Sequence, residues 1–149
     1  MLAVDCKALD RSPRLKIYAH SYTCTFECVE QVLTMGGLLA KEEDTIAHLA
    51  LLEELWHTLL QDVVPERTDP AWKTKPLAPV RNLNNRPQEF IFSFEVRSGN
   101  VTPEIKFYFP IRFYNASDMV TADRLSDFLA ARGWTDTAKE YKQMLRKIL

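Results

Sequence analysis

Residues 103–114, Pro-Glu-Ile-Lys-Phe-Tyr-Phe-Pro-Ile-Arg-Phe-Tyr, alternate at period two, and no other stretch limits the fold as strongly. Such a period belongs to a β-strand with two unlike faces. Ile105, Phe107, Phe109, Ile111 and Phe113 fall on one face and call for a core. Glu104, Lys106, Tyr108, Arg112 and Tyr114 fall on the other. Long cations interleaved with tyrosines are costly to order and well suited to holding an anion. The plain alternative is a solvated sheet face. Residues 13–18, Pro-Arg-Leu-Lys-Ile-Tyr, repeat the Pro-x-aliphatic-Lys-x-Tyr pattern. That recurrence favours a repeated unit and a shared anion site over a merely solvated face.

The 149 residues suffice for one domain with its own core. With 19 basic and 20 acidic residues the charges nearly cancel, so any anion site is local and no nucleic acid or membrane partner is expected. Cys6, Cys24 and Cys28 are too few for a disulfide scaffold and point to a reducing compartment. With neither a signal peptide nor a run long enough to span a bilayer, a cytoplasmic protein is expected.

In chain order, Leu2–Cys6 and Arg14–His20 read as a hairpin around the turn residues Asp10–Pro13. Arg14, Lys16, Tyr18 and His20 lie on one side of the second strand, with Leu15, Ile17 and Ala19 on the other. Helices follow over Thr25–Met35, closed by Gly36-Gly37, and Glu43–Leu60, whose stripe runs Ile46, Leu49, Leu52, Trp56, Leu59 and Leu60. From Gln61 to Pro87 the pattern dissolves among prolines and asparagines. Phe90–Arg97 reads as a strand with Phe90, Phe92, Phe94 and Val96 inward, turned by Ser98-Gly99-Asn100 into the opening stretch. Met119–Ala131 and Thr135–Leu149 close the chain as helices. The fold class is therefore α+β in a single domain: repeat one over 1–60, an irregular connection over 61–87, and repeat two over 88–149.

Leu-Ala-Val-Asp-Cys (2–6), Pro-Arg-Leu-Lys-Ile-Tyr-Ala-His-Ser (13–21), Leu-Thr-Met-Gly-Gly (33–37) and residues 103–114 carry a further signal. In order, and across essentially the whole chain, they resemble the fungal aromatic prenyltransferases of the dimethylallyltryptophan synthase type. Members of that family fold as a barrel of five ββαα repeats with the reaction chamber inside. They transfer a prenyl group from dimethylallyl diphosphate to an aromatic ring, usually an indole, without needing a metal. The resemblance implies a partial barrel of two repeats, an antiparallel sheet with helices on its outer face. Arg14, Lys16 and Tyr18 match the family's Arg-x-Lys-x-Tyr diphosphate motif, and Lys106 and Tyr108 match its second strand pair. It also implies a prenyl diphosphate and an aromatic small molecule as partners, with no cofactor and no metal.

On the same resemblance, the family's acidic proton acceptor, further phosphate-binding cations and the last shielding tyrosines fall outside this chain. Glu95 and Glu104 are the candidates to replace the acceptor, though ion pairing is the preferred role for both. The expected function is transfer of a dimethylallyl group to an indole-type acceptor once other chains, or further copies, complete the barrel. The alternative is a non-catalytic remnant acting as an anion-binding or oligomeric interaction module. Cys24 and Cys28 lack the companions of a zinc site, and His48 and His57 are too far apart on their helix to meet.

Overall fold

The computed structural model describes residues 2–5, 14–81 and 88–148. Its elements run β1 (Leu2–Asp5), β2 (Arg14–Ser21), α1 (Phe26–Leu33), α2 (Glu43–Leu59), β3 (Phe90–Arg97), β4 (Glu104–Tyr108), α3 (Asp118–Ala131) and α4 (Thr135–Ile148). A 3₁₀ turn at Ile111–Phe113 separates β4 from α3. The order is ββααββαα, as the patterning predicts. The chain divides into two compact units, one holding the strands and the other the helices. Each repeat gives its hairpin to the first unit and its helix pair to the second. The expected turn at Asp10–Pro13, Cys6 and the stretch from Asn82 to Pro87 lie outside the described residues.

In the strand unit the order is β1-β2-β3-β4, antiparallel throughout. The central ladder pairs β2 with β3 over eight residues, from Arg14↔Arg97 to Ser21↔Phe90, and so joins the two hairpins. Because the side-chain period is two, this register fixes both faces at once. Phe92 stands beside Phe107 in a stacked pair at 5.1 Å, and Phe90 meets Phe107 and Phe109 edge-on at 5.2 and 5.6 Å. Phe90 and Phe92 are fully buried; burying each such ring contributes about 1.5–3 kcal/mol. The apolar face is less covered over β2, where Ile17 is 39% exposed. The aromatic bulk of that face sits on β3, β4 and Phe109.

The alternation of residues 103–114 does not continue as one strand. Pairing stops at Tyr108↔Ile91, and Pro110, with no N–H to donate and a fixed φ, leads into the 3₁₀ turn. Arg112 and Tyr114 therefore leave the Lys/Tyr face predicted for them. Arg112 lies over the Phe113 ring at 5.2 Å, and Tyr114 is fully buried in the helical unit.

In the helical unit, Thr25 caps α1 by accepting from the Cys28 amide at 3.1 Å. Met35, Gly36 and Gly37 all take positive φ just beyond the helix, which explains the glycine pair there. Phe26 packs edge-on against Trp56 at 5.4 Å and in a tilted arrangement against Trp72 at 5.0 Å. The irregular connection thus contributes Trp72 and Leu77 to the core. The α2 stripe is buried at its C-terminal end, at Trp56 and in the following Leu60, while Ile46 stays 54% exposed against the sequence expectation. Among the described residues no helix is long and apolar enough to cross a membrane.

Arg124 ties α3 to the end of α2. It donates to the Leu59 carbonyl at 3.0 Å, to Asn115 Oδ1 at 2.8 Å and to Asp62 Oδ2 at 2.6 Å, with its side chain only 12% exposed. The Leu59 carbonyl is one of those a helix end leaves without an intrahelical partner. Arg124→Ala strands Asn115 and that carbonyl, and is expected to cost roughly 2–3 kcal/mol in urea unfolding.

His57 on α2 lies against Trp72 at 4.6 Å, and its shielded Nε2 has no hydrogen-bond partner among the described residues. Burial, aided by Arg67 and opposed by Glu53, lowers its pKa from the ordinary 6.5. A native pKa below the unfolded one leaves stability unaffected above pH 6.5 and erodes it as pH falls below 6.5 toward the native value. His57→Gln should remove that part of the loss, seen as a flatter dependence of the urea midpoint between pH 7 and 5.

A candidate anion-binding face

The β2–β3–β4 register puts the sequence-selected residues on one face in four rows. Arg14 stands opposite Arg97; Lys16, Glu95 and Glu104 form the next row; then Tyr18, Ser93 and Lys106; then His20, Ile91 and Tyr108. Directly paired residues share a face, so Arg14, Lys16, Tyr18, Lys106 and Tyr108 look out of the sheet together. Ser93, 3% exposed, is the small residue between the long side chains of Tyr18 and Lys106.

The charged end is organised by Glu95. Its side chain is 2% exposed, and its neighbours cover it rather than any depth of fold. Arg14 Nη1 donates to both carboxylate oxygens at 3.4 Å, Lys16 Nζ lies 3.8 Å from Oε2, and Arg97 pairs with Oε1. Burial pushes the Glu95 pKa up, but Arg14 and Arg97 overcome it by attraction and hydrogen bonding, and the net shift is downward. Lys106 Nζ lies 3.1 Å from Glu104, whose hydrogen bond and charge raise the lysine pKa, with further support from Glu95 and Tyr108.

The other end is aromatic. Tyr18, His20, Ile91 and Tyr108 line an open cavity of about 320 Å³, and His20 Nδ1 lies 3.1 Å from Glu89 at its edge. The face is therefore divided along the strands: cations around carboxylates at the Arg14 end, rings and one aliphatic side chain at the Tyr108 end. A molecule with an anionic head and an unsaturated hydrocarbon tail meets both parts of such a surface.

Sequence reading selected the β2 and β4 residues but not Arg97, Ser93 or Ile91. These share the parity of Glu95 in the Phe90–Arg97 strand, interleaved with its phenylalanines, and that period-two signal was available. Among the described residues no group of three or more His, Cys, Asp and Glu side chains is placed to hold a metal ion. The Cys24 thiol is buried and faces the Gln88 carbonyl at 3.7 Å.

The sequence profile of the tryptophan dimethylallyltransferase family matches residues 1–144. The chain is 32% identical over 148 residues to the 7-dimethylallyltryptophan synthase of Aspergillus fumigatus, covering 99% of this chain and 29% of that protein. It is 30% identical over 135 residues to an indole diterpene prenyltransferase of Penicillium ochrochloron, covering 91% of this chain and 30% of that protein. The crystal structure of the NotF prenyltransferase superposes with a TM-score of 0.62 at 26% identity, over 91% of this chain and 28% of that one. The chain spans about three tenths of the length of the curated relatives it matches.

A carboxyl group with a lowered native pKa adds stability above its ordinary 4.5 and loses it as pH falls from there through the native value. Glu95→Gln should therefore be less stable than the wild type at neutral pH. The gap in urea midpoint between the two should close as pH is lowered below 4.5.

Proposed function

This chain belongs to the tryptophan dimethylallyltransferase family, and from that premise we propose that its Lys/Tyr face is the diphosphate-binding wall of an aromatic prenyltransferase. The reaction is transfer of a dimethylallyl group from dimethylallyl diphosphate to an indole-type acceptor. The remainder of the chamber comes from further protein, in the same chain, a complementing chain or a second copy. Arg14, Lys16 and Lys106 take the diphosphate, and the hydroxyls of Tyr18 and Tyr108 donate to it. Positive charge fixed before reaction stabilises the negative charge that grows on the leaving group. The two phenol rings turn their electron-rich faces to the allylic cation and keep water from it. The reaction needs no metal, because the cations neutralise the leaving diphosphate themselves.

One observation supports this reading above the others. The register gathers the cations and tyrosines of β2 and β4 onto a single face, with charge at one end and rings at the other. A merely solvated face gives no reason for that division.

Calorimetric titration of the full chain with dimethylallyl diphosphate tests the reading. Arg14→Ala and Lys16→Ala are each expected to weaken binding about tenfold. Lys106→Ala should cost less, since Glu104 already engages its ammonium. Tyr18→Phe and Tyr108→Phe keep the rings and should lose less than about threefold. A chelator should leave the affinity unchanged. Alanine variants that bind as the wild type does would remove the wall.

A further inference from the structure

We propose that a second copy of this chain docks by its last helix, α4, into the cleft between α1 and α2, so that copies associate head to tail. All the residues involved belong to the helical unit, so this contact is independent of the diphosphate wall on the strands.

The cleft between α1 and α2 encloses about 270 Å³. Phe26, Ile46 and Leu49 supply apolar lining, and Glu30, Glu53 and Lys73 supply polar lining. Phe26 is buried, whereas Ile46 on α2 keeps 54% of its surface exposed. A half-open cleft of this kind suits an unbranched side chain, and methionine fills irregular gaps well. Lys73 is engaged by Glu30 at 3.1 Å, and Arg67 lies 3.9 Å from Glu53. The two helices nonetheless stay acidic. Together they carry Glu27, Glu30, Glu43, Asp44, Glu53 and Glu54, and neither contains a Lys or Arg. Glu27, Glu43 and Asp44 are exposed and have no ion pair among the described residues.

α4 is the complementary surface. Where it packs on α3, Ala138 is buried and its carbonyl accepts from Ser126 Oγ at 3.4 Å. Met144 keeps 55% of its surface exposed. From Tyr141 to Ile148 the helix has no acid, and its cations include Lys142 and Lys147. Lys142 is tied to Asp123 at 2.6 Å, while Lys147 is exposed one turn on from Met144. α4 thus offers an apolar anchor beside a cation. The four helices pack in chain order, α1 on α2, α2 on α3 and α3 on α4. A second copy's α1–α2 pair set against α4 continues that order. Charge decides how two copies meet. An isologous contact sets acidic cleft against acidic cleft, or one basic helix end against another. The heterologous contact, α4 of one copy in the cleft of the next, brings opposite signs together and fills the cleft with Met144.

The experiment is sedimentation velocity of the full chain over a range of concentrations. The wild type should associate, and raising the salt about tenfold should weaken that association several-fold. Ile46→Asp spoils the cleft and Met144→Asp spoils the helix. Both positions are exposed, so folding, checked by circular dichroism, should be kept. Each variant alone should self-associate at least about tenfold more weakly. Mixed, the two should form a one-to-one dimer and nothing larger, because the intact α4 of the first fits the intact cleft of the second. Ala50→Arg, which obstructs the cleft from its lining, and Lys147→Glu form a second pair with the same expectations should either of the first pair fail to fold. A monomeric wild type overturns the proposal. So does association that survives either substitution, that salt leaves unchanged, or that mixing does not restore. None of these substitutions touches the strands, so titration of the same proteins with dimethylallyl diphosphate still reports on the wall by itself.

Discussion

The strand unit depends on one ladder, the eight-residue pairing of β2 with β3. It is a long-range contact between two hairpins, so the chain must close the intervening loop before the ladder gives anything back. Once formed, it leaves no freedom in what faces what. A slip of one residue would turn Lys16 and Tyr18 to the side of Phe92 and Phe94 and send the phenylalanines among the cations. The apolar face guards the register: Phe92 stacks on Phe107, and Phe90 meets Phe107 and Phe109 edge-on. The opposite face is then assembled at no further cost in backbone order.

Electrostatics on that face works by short-range pairing, since the chain as a whole carries a formal charge of −1. Glu95 offsets three cations, and Glu104 offsets Lys106. The same pairings explain the pKa shifts: the carboxyl of Glu95 moves down against its own burial, and the ammonium of Lys106 moves up. In the helical unit, Arg124 plays a structural counterpart, satisfying an end-of-helix carbonyl and two side chains from a nearly enclosed position. Arginine serves both places because its planar fork meets several acceptors at once.

Family membership and the divided face bear on each other. The relatives are prenyltransferases, matched by this chain over about three tenths of their length. What the chain brings is a surface with two chemical characters along one set of strands. Rings from Tyr18 and Tyr108 and the imidazole of His20 sit at one end, and the cation cluster sits at the other. That polarity gives the face itself a direction, from the charged Arg14 end to the aromatic Tyr108 end.

The sequence by itself determined the element order, the two hairpins and the faces of β2, β3 and β4, because a period of two is written in every strand residue. It also marked Arg14, Lys16, Tyr18, Lys106 and Tyr108, since cations and tyrosines at alternate positions stand out locally. Tertiary structure decided what local pattern cannot carry. The apolar alternation runs on to Phe113, yet the strand stops at Tyr108 because pairing needs a partner and Pro110 cannot supply an amide. Trp72 lies in a stretch with no periodicity, and only packing against Phe26 and His57 shows it to be core. Most of all, the register of β2 against β3 is a property of two distant segments. It alone brings Arg97 and Glu95 beside Arg14 and Lys16, and turns isolated charges into a cluster with a shared carboxylate.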